Sequence, residues 1–308
     1  MAERVKTEGD VQHETVPGVY AQYTFNNNDK LVLMAGLRAD HSSMHGTFIT
    51  PRLHLKLTPH EVVSLRLSAG KGYRTVHPMA ENHYLMASGR QIVIDHLRQE
   101  EAWNVGGSGA FFIPLMGRTM KLNVEYYHTR FSEQAVIDYD SNPTQIHITN
   151  LSGRSYSNTL QADATYEVVE GLELTAAYRL NDVKTTYGGQ LKTKPLTNRY
   201  KGLLTASYKT PLGLWQIDAT LQLNGGGRLP GDMGTFGAYE QVSAQITRWF
   251  RHFSIYIGGE NLTGFRQKNP ILGADNPWGA DFEPTLVWGP VHGALFYAGV
   301  RVNIGNRL

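Results

Sequence analysis

The sequence predicts an all-β protein, an antiparallel transmembrane β-barrel, from three observations. Runs of about ten residues alternate apolar and polar side chains, as strands do when their two faces meet different solvents. The links between these runs alternate between tight and long, and aromatic residues gather at the ends of the runs. No stretch approaches the ~18 apolar residues of a membrane-spanning helix, which excludes a helical membrane protein.

Composition agrees with this fold class. The mean hydropathy of −0.34 suits a barrel because its strands are apolar on one face only. The absence of Cys excludes a disulfide scaffold and a thiolate metal site. A net charge of +2 is no sign of nucleic-acid binding. We expect one incomplete domain over residues 1–308. Its first residues lack the apolar segment of a secretory signal, so either the signal was removed or the sequence is cut from a longer, exported chain, and we expect the cut.

The alternation also predicts which face is wet. Every odd residue from 215 to 223 is apolar and every even one polar, and residues 296–304 alternate in the same way. Arg52, Lys56 and Arg66 alternate with leucines. A Lys or Arg facing lipid at mid-bilayer costs about 2–4 kcal/mol, so three would cost on the order of 6–12 kcal/mol. We therefore place these three side chains in the lumen and the leucines against lipid.

Loop lengths support a membrane barrel over a soluble β-sandwich. Tight links at 26–29, 58–61, 114–117, 169–171 and 210–213 alternate with long ones that include 73–100, 225–238 and 262–294. Short periplasmic turns opposite long extracellular loops are typical of bacterial outer-membrane barrels. Aromatic residues at strand ends, such as Trp215 and Trp249, suit an interfacial girdle, with ordinary core packing as the alternative. The pattern predicts about thirteen strands, near residues 19–25, 31–40, 48–57, 62–72, 101–113, 120–139, 146–168, 172–187, 197–209, 215–224, 239–250, 253–261 and 295–304.

Several segments carry a family resemblance. Ser-Ala-Gly-Lys-Gly-Tyr-Arg-Thr at 68–75, followed by 80–90, resembles a strand and loop that carry an aromatic-Arg-Ala/Thr box. Gly-Glu-Asn-Leu-Thr-Gly-Phe at 259–265 resembles the exit of a penultimate strand, and 287–293 and 297–303 resemble a final loop and strand. In this order they resemble the C-terminal half of Bacteroidetes-type TonB-dependent receptors. The resemblance implies a barrel of about 22 strands around a plug domain, with about thirteen strands and no plug in this chain.

The resemblance also implies a function. It implies an outer-membrane receptor that contacts lipid, binds a scarce nutrient outside and imports it with energy passed from TonB through the plug. An iron complex, either a ferric siderophore or haem, is the expected ligand. No bond is made or broken, so we expect no enzyme activity, no catalytic residues, no resident cofactor or metal site, and no nucleic-acid partner. The alternatives are a self-contained smaller pore without TonB coupling and a secreted enzyme on a β-scaffold.

Candidate ligand-binding residues lie in the long loops, because a barrel wall is mainly scaffold. His and Met are donors suited to haem iron or copper, whereas the alternative is polar loop residues with Met filling gaps. The cations Arg52, Lys56, Arg66, Lys71 and Arg74 are expected inside the barrel, where contact with the plug is favoured over an anionic ligand. The glycine-rich stretch 225–234 lacks the Lys-Ser/Thr of a phosphate loop. The candidate binding residues are Arg74, His77, Met79, His83, Tyr84, His41 and His45.

Overall fold

One antiparallel sheet dominates the structure. A computed structural model describes residues 2–7, 10–279 and 281–304. Within them, thirteen long strands pair each with the next along the chain, and the two outermost strands do not pair with each other. The strands are β1 (Gly18–Asn27), β2 (Leu31–Ser42), β3 (Gly46–His60), β4 (Val63–Arg74), β5 (Glu100–Leu115), β6 (Arg118–Glu133), β7 (Ser155–Val169), β8 (Leu172–Tyr187), β9 (Tyr200–Lys209), β10 (Trp215–Asn224), β11 (Tyr239–Trp249), β12 (Phe253–Glu260) and β13 (Leu295–Val302).

Shorter elements lie outside this path. A hairpin pairs Ala2–Thr7 with Asp10–Thr15. The strand Gln190–Thr193 pairs with the C-terminal end of β8. No helix of the described residues is long and apolar enough to cross a membrane. The remaining elements are the α-helix Pro78–Glu81, the 3-10 helix His83–Ala87 and the strands Gln91–Ile94, Ala135–Asp138, Gln145–Asn150, Gly227–Arg228 and Thr235–Phe236.

The strand register separates a polar face from an apolar face. Arg52 pairs with Gly70 and Gly70 with Asn104, so their side chains point to one side, as do those of Thr129 and Ser157 further along. We call this the polar face; the opposite, apolar face carries Leu53, Leu55 and Leu57. In residues 215–223 and 296–302, the register places the apolar residues of the predicted alternation on the apolar face and the alternate residues on the polar face. The predicted separation of Arg52, Lys56 and Arg66 from the leucines is therefore confirmed.

The interior placement of Lys71 is wrong. Pairing of β4 with β5 runs without a register shift, so Lys71 lies on the apolar face with Leu65, Leu67 and Ala69. Its Nζ atom lies 2.5 Å from a carboxylate oxygen of Glu101 near the end of the strand, which neutralises its charge. Arg74 lies four residues after Gly70 in the same strand, so its side chain points to the polar face.

The two ends of the sheet differ as predicted. Tight turns join β1 to β2, β3 to β4, β5 to β6, β7 to β8, β9 to β10 and β11 to β12, all at one end. At the other end, β2 and β3 are joined by three residues. The remaining links there are long, and we name them loop A (75–99), loop B (134–154), loop C (188–199), loop D (225–238) and loop E (261–294).

Two predicted strands are each broken in the structure. The prediction 120–139 covers β6 and the separate strand Ala135–Asp138, and 146–168 covers Gln145–Asn150 and β7. At the break between the two strands, the Gln134 side-chain oxygen accepts from the Ser155 hydroxyl over 2.6 Å. The short strands also bury alternate residues, such as Ile146 and Ile148. The alternation of more and less buried residues therefore continues across both breaks, so the sequence pattern does not reveal them.

Candidate functional site

The long loops pack into a single structure, which we call the loop cap. Its core contains Leu85 of loop A, Tyr139, Ile146 and Ile148 of loop B, and Leu286 of loop E. The strand Gln145–Asn150 of loop B pairs in parallel with Gln91–Ile94 of loop A. Buried apolar contacts between loops hold them in fixed positions, so side chains on these loops can form pre-organised cavities.

Two ion-pair clusters join the loops further. Glu283 of loop E accepts from Arg90 of loop A at 3.1 Å, and both side chains are less than a tenth exposed. Asp140 of loop B accepts from Arg228 of loop D at 2.8 Å and from the backbone N–H of Gly231 at 2.7 Å. The Arg228 guanidinium also donates to the carbonyl oxygen of Thr193 in loop C over 2.7 Å. The first cluster thus links loops A and E, and the second links loops B, C and D.

The first cavity has a volume of about 400 Å³ and contains Arg74 and His77. It opens where β3 and β4 separate, because their pairing ends at Arg52 and Gly70. The aromatic ring of Tyr73 fills part of the gap against Phe48. The full lining is Glu14, Val16, Arg38, Tyr73, Arg74, Thr75, His77 and Glu81.

The cationic side chains of the first cavity already form ion pairs with carboxylates. Arg74 lies 2.6 Å from Glu100 and 2.8 Å from Glu81. Arg38 lies 2.7 Å from Asp40, whose side chain is fully buried. A guanidinium held by carboxylates has few donors left for an anionic ligand. Arg74 therefore ties the start of loop A to β5, which is a supporting position.

The second cavity, also about 400 Å³, lies between loops A, B and C. Its lining includes Tyr84, Tyr139, Tyr187 and Lys194, of which Tyr84 and Lys194 are exposed. Lys194 is exposed and makes no ion pair within the described part of the chain. Aromatic rings offer flat apolar surfaces with a polar tip, and an unpaired ammonium can attract an anion. The second cavity therefore has the groups needed to bind an aromatic, negatively charged molecule.

The phenol of Tyr139, in the second cavity, stays neutral. Burial raises the pKa of Tyr139 above its usual value, with Tyr84 within hydrogen-bonding reach as a further cause. A raised pKa keeps the phenol protonated at neutral pH, so Tyr139 acts as a neutral hydrogen-bonding group. The position of Tyr84, 44% exposed on the 3-10 helix of loop A, leaves its ring accessible.

The other predicted residues are spread over the loop end of the sheet. His41 and His45 lie at the link between β2 and β3, where a His41 ring nitrogen is 2.8 Å from the Thr47 hydroxyl. Met79 and His83 lie on the two short helices of loop A and line neither of the cavities above. Among the described residues, no group of three His, Cys, Asp or Glu side chains could hold a metal ion.

Several residues of these cavities are not indicated by any pattern in the sequence. Glu14 belongs to the N-terminal hairpin, and its carboxylate accepts from Ser42 at 2.5 Å and from Thr75 at 3.1 Å. Tyr139 is the last residue of the predicted strand 120–139, although it lies in loop B. Lys194 follows the strand Gln190–Thr193, which is too short to show an alternation of apolar and polar residues. Only the tertiary contacts between loops bring these residues to the two cavities.

Comparison with solved structures identifies similar folds at low sequence identity. A variant of the ferric enterobactin receptor PfeA from Pseudomonas aeruginosa superposes with a TM-score of 0.67 at 15% identity, covering 96% of this chain and 46% of that one. The siderophore receptor PirA from Acinetobacter baumannii gives 0.67 at 12% identity, with 95% and 46% covered. The FrpB iron transporter from Neisseria meningitidis gives 0.64 at 13% identity, with 94% and 45% covered. The chain spans a little under half the length of these neighbours.

The sequence itself matches a family model. No curated protein matches the chain. The model described as "TonB dependent receptor-like, beta-barrel" matches residues 6–262, which is most of the sequence. The Bacteroidetes-type assignment within this family stays a prediction. The all-β antiparallel sheet, its alternation and the family match agree, and the chain belongs to the TonB-dependent receptor-like β-barrel family.

Proposed function

We propose that this chain forms barrel wall and extracellular loops of an outer-membrane receptor that imports an iron complex with energy from TonB. The second cavity carries the proposal, because it combines aromatic rings and an unpaired cation in loops held by a core of their own. Structural neighbours named as siderophore receptors and an iron transporter support the choice of an iron complex. We also propose that residues 1–308 act as one domain.

The two faces of the sheet support a place in the outer membrane. Leucines such as Leu53 and Leu67 stand exposed on the apolar face, where lipid would cover them. The cations Arg52, Lys56 and Arg66 stand on the polar face, and we propose that they contact a plug domain inside the lumen. Force from TonB would then act on the plug. Transport of this kind needs no covalent step, so we propose neither enzyme activity nor catalytic residues.

The ligand of the second cavity is proposed to be an aromatic anionic iron complex, a ferric siderophore or haem. A cavity of about 400 Å³ lies within the range of small-molecule sites. Tyr84 would stack on the ligand and Lys194 would pair with its negative charge. Arg74 would act by holding loop A in place. Direct contacts of His41, His45, His77, Met79 and His83 with the ligand remain a prediction.

Binding and uptake of a radioactive ferric catecholate siderophore by cells expressing the full-length receptor test this proposal. We expect Tyr84→Ala and Lys194→Gln each to weaken binding of a ferric catecholate siderophore by about tenfold, as expected from loss of one stacking or charged contact. Met86→Ala is the matched control, because Met86 is 64% exposed on the same 3-10 helix and does not line the cavity.

A strain without TonB provides the second test. We expect it to retain surface binding and to lose uptake. Uptake that persists without TonB would instead favour a self-contained pore. Equal effects of Tyr84→Ala and Met86→Ala would remove the second cavity from the pathway.

A further inference from the structure

Two cations face each other on the polar face of the sheet, just below loops C and D. Arg179 of β8 and Lys201 of β9 are direct partners in the strand register. Side chains so placed have Cβ atoms about 4.5–5.5 Å apart, and like charges at that spacing repel. The Arg179 guanidinium donates only to the neutral Gln161 side chain, over 2.8 Å. Within the described residues, neither cation has a carboxylate partner.

A cavity of about 300 Å³ surrounds this pair. The side chain of Asn224, at the end of β10, also lines it. Asn224 is only 8% exposed, and its Nδ2 group has no hydrogen-bond partner in the described structure. A buried donor without an acceptor is destabilising, and such groups are rare unless a ligand or water completes them. Three donor groups, two of them cationic, therefore meet in one cavity.

The acidic residues near the pair are already engaged. Asp163 lies on the polar face opposite Ala177, one step diagonally from Arg179, and its carboxylate accepts from the Asn123 amide over 2.8 Å. Asp182 has the opposite parity and therefore points to the other face. Its carboxylate lies 3.7 Å from Lys184. Within the described residues, neither Asp163 nor Asp182 forms an ion pair with Arg179 or Lys201.

We propose that this cavity binds an oxyanion group of a small molecule, held between Arg179 and Lys201 with a third hydrogen bond from Asn224. A carboxylate or phosphate oxygen accepts from all three donors and removes the repulsion between the cations. The inference rests on the proposed function, since it places a second binding site on the lumen wall beneath the loop cap. It adds that the imported ligand carries at least one free oxyanion group.

Calorimetric titration of the purified full-length receptor in detergent tests the site, with citrate and inorganic phosphate as separate probes. We expect saturable binding of at least one probe. Arg179→Gln and Lys201→Gln should each weaken it by about 10- to 100-fold, the range for one charge-assisted hydrogen bond. Both side chains are exposed, so their replacement should leave folding intact. Tighter binding of citrate than of phosphate would assign the site to carboxylate ligands, and the reverse order to phosphorylated ones.

Arg66→Gln is the matched control. Arg66 also faces a like charge, Lys56, on the polar face, but in a different part of the wall. If Arg66→Gln weakens binding as much as Arg179→Gln, the attraction belongs to the whole wall and the proposal is wrong. Absence of binding for both probes, or an acidic side chain of the receptor found between the two cations in a crystal structure, would also overturn it. Titration in detergent requires neither TonB nor iron uptake, so it can fail or succeed independently of the proposed function.

Discussion

The buried ion pair between Arg90 and Glu283 connects loops A and E, and its loss should free both loops. The Arg90 side chain is 9% exposed and that of Glu283 3%. Glu283 also accepts from the Ser88 hydroxyl over 2.8 Å and from the Thr285 backbone N–H over 3.0 Å. Glu283→Gln keeps the shape of the side chain but leaves Arg90 buried without a counter-charge. Breaking a buried pair in this way costs about 3–5 kcal/mol.

Hydrogen exchange measures this cost as a lower free energy of local opening. The backbone N–H of Gly89 donates to the carbonyl oxygen of Phe282 over 2.7 Å, directly beside the ion pair. We expect its protection in Glu283→Gln to fall by about two to almost four powers of ten, at about 1.4 kcal/mol for each tenfold change. The assay is exchange followed by mass spectrometry on the receptor in detergent.

The exposed pair between Arg98 and Glu133 serves as the control. Its atoms lie 2.9 Å apart, but the Arg98 side chain is 57% exposed. Arg98→Gln should therefore change the opening free energy by less than about 1 kcal/mol. If protection at Gly89 in Glu283→Gln stays within the range of this control, the buried pair does not hold the loops together and the reasoning fails.

Two further substitutions test the wall and its rim. Leu67→Arg on the apolar face should destabilise the folded barrel in lipid vesicles by about 2–4 kcal/mol, whereas Ser68→Arg on the polar face should have little effect. Urea titration measures the free energy of unfolding of both variants. Equal losses of stability would contradict the assignment of the two faces. Gly18→Ala should destabilise the start of β1, because an added Cβ would lie 1.8 Å from a carboxylate oxygen of Asp40. The measurement is the temperature at which the folded barrel unfolds on a gel. An unchanged unfolding temperature would show that the prediction is wrong.

The wall of the barrel could be predicted from sequence because its pattern is local. Each strand alternates between a polar and an apolar face, so the predicted bounds 172–187 and 215–224 are those of the structure. The error at Lys71 has a physical cause as well. Near the end of a strand a paired cation can stand on the apolar face, since Glu101 neutralises it. Charge alone therefore predicts the face only in the middle of a strand.

The candidate sites could be predicted only in part because the loops are organised by long-range contacts. Arg74 and His77 were expected in one site and do share a cavity. Tyr84 was expected with them but faces a second cavity, whose other walls come from loops B and C. No spacing in the sequence indicates that Tyr139 lies beside Tyr84, since the two residues are brought together by the core of the loop cap.

Charge pairing separates the cations that build this protein from those available to a ligand. Arg74 and Arg90 are each held by carboxylates, since removing a charge from water is costly unless an opposite charge compensates it. Lys194, Arg179 and Lys201 remain exposed, without carboxylate partners in the described structure, and each lines a cavity. Substituting the first group should loosen the loops, whereas substituting the second should weaken binding without loosening them. The two classes of variant therefore differ in hydrogen exchange and in titration, which lets stability and recognition be measured separately in one receptor.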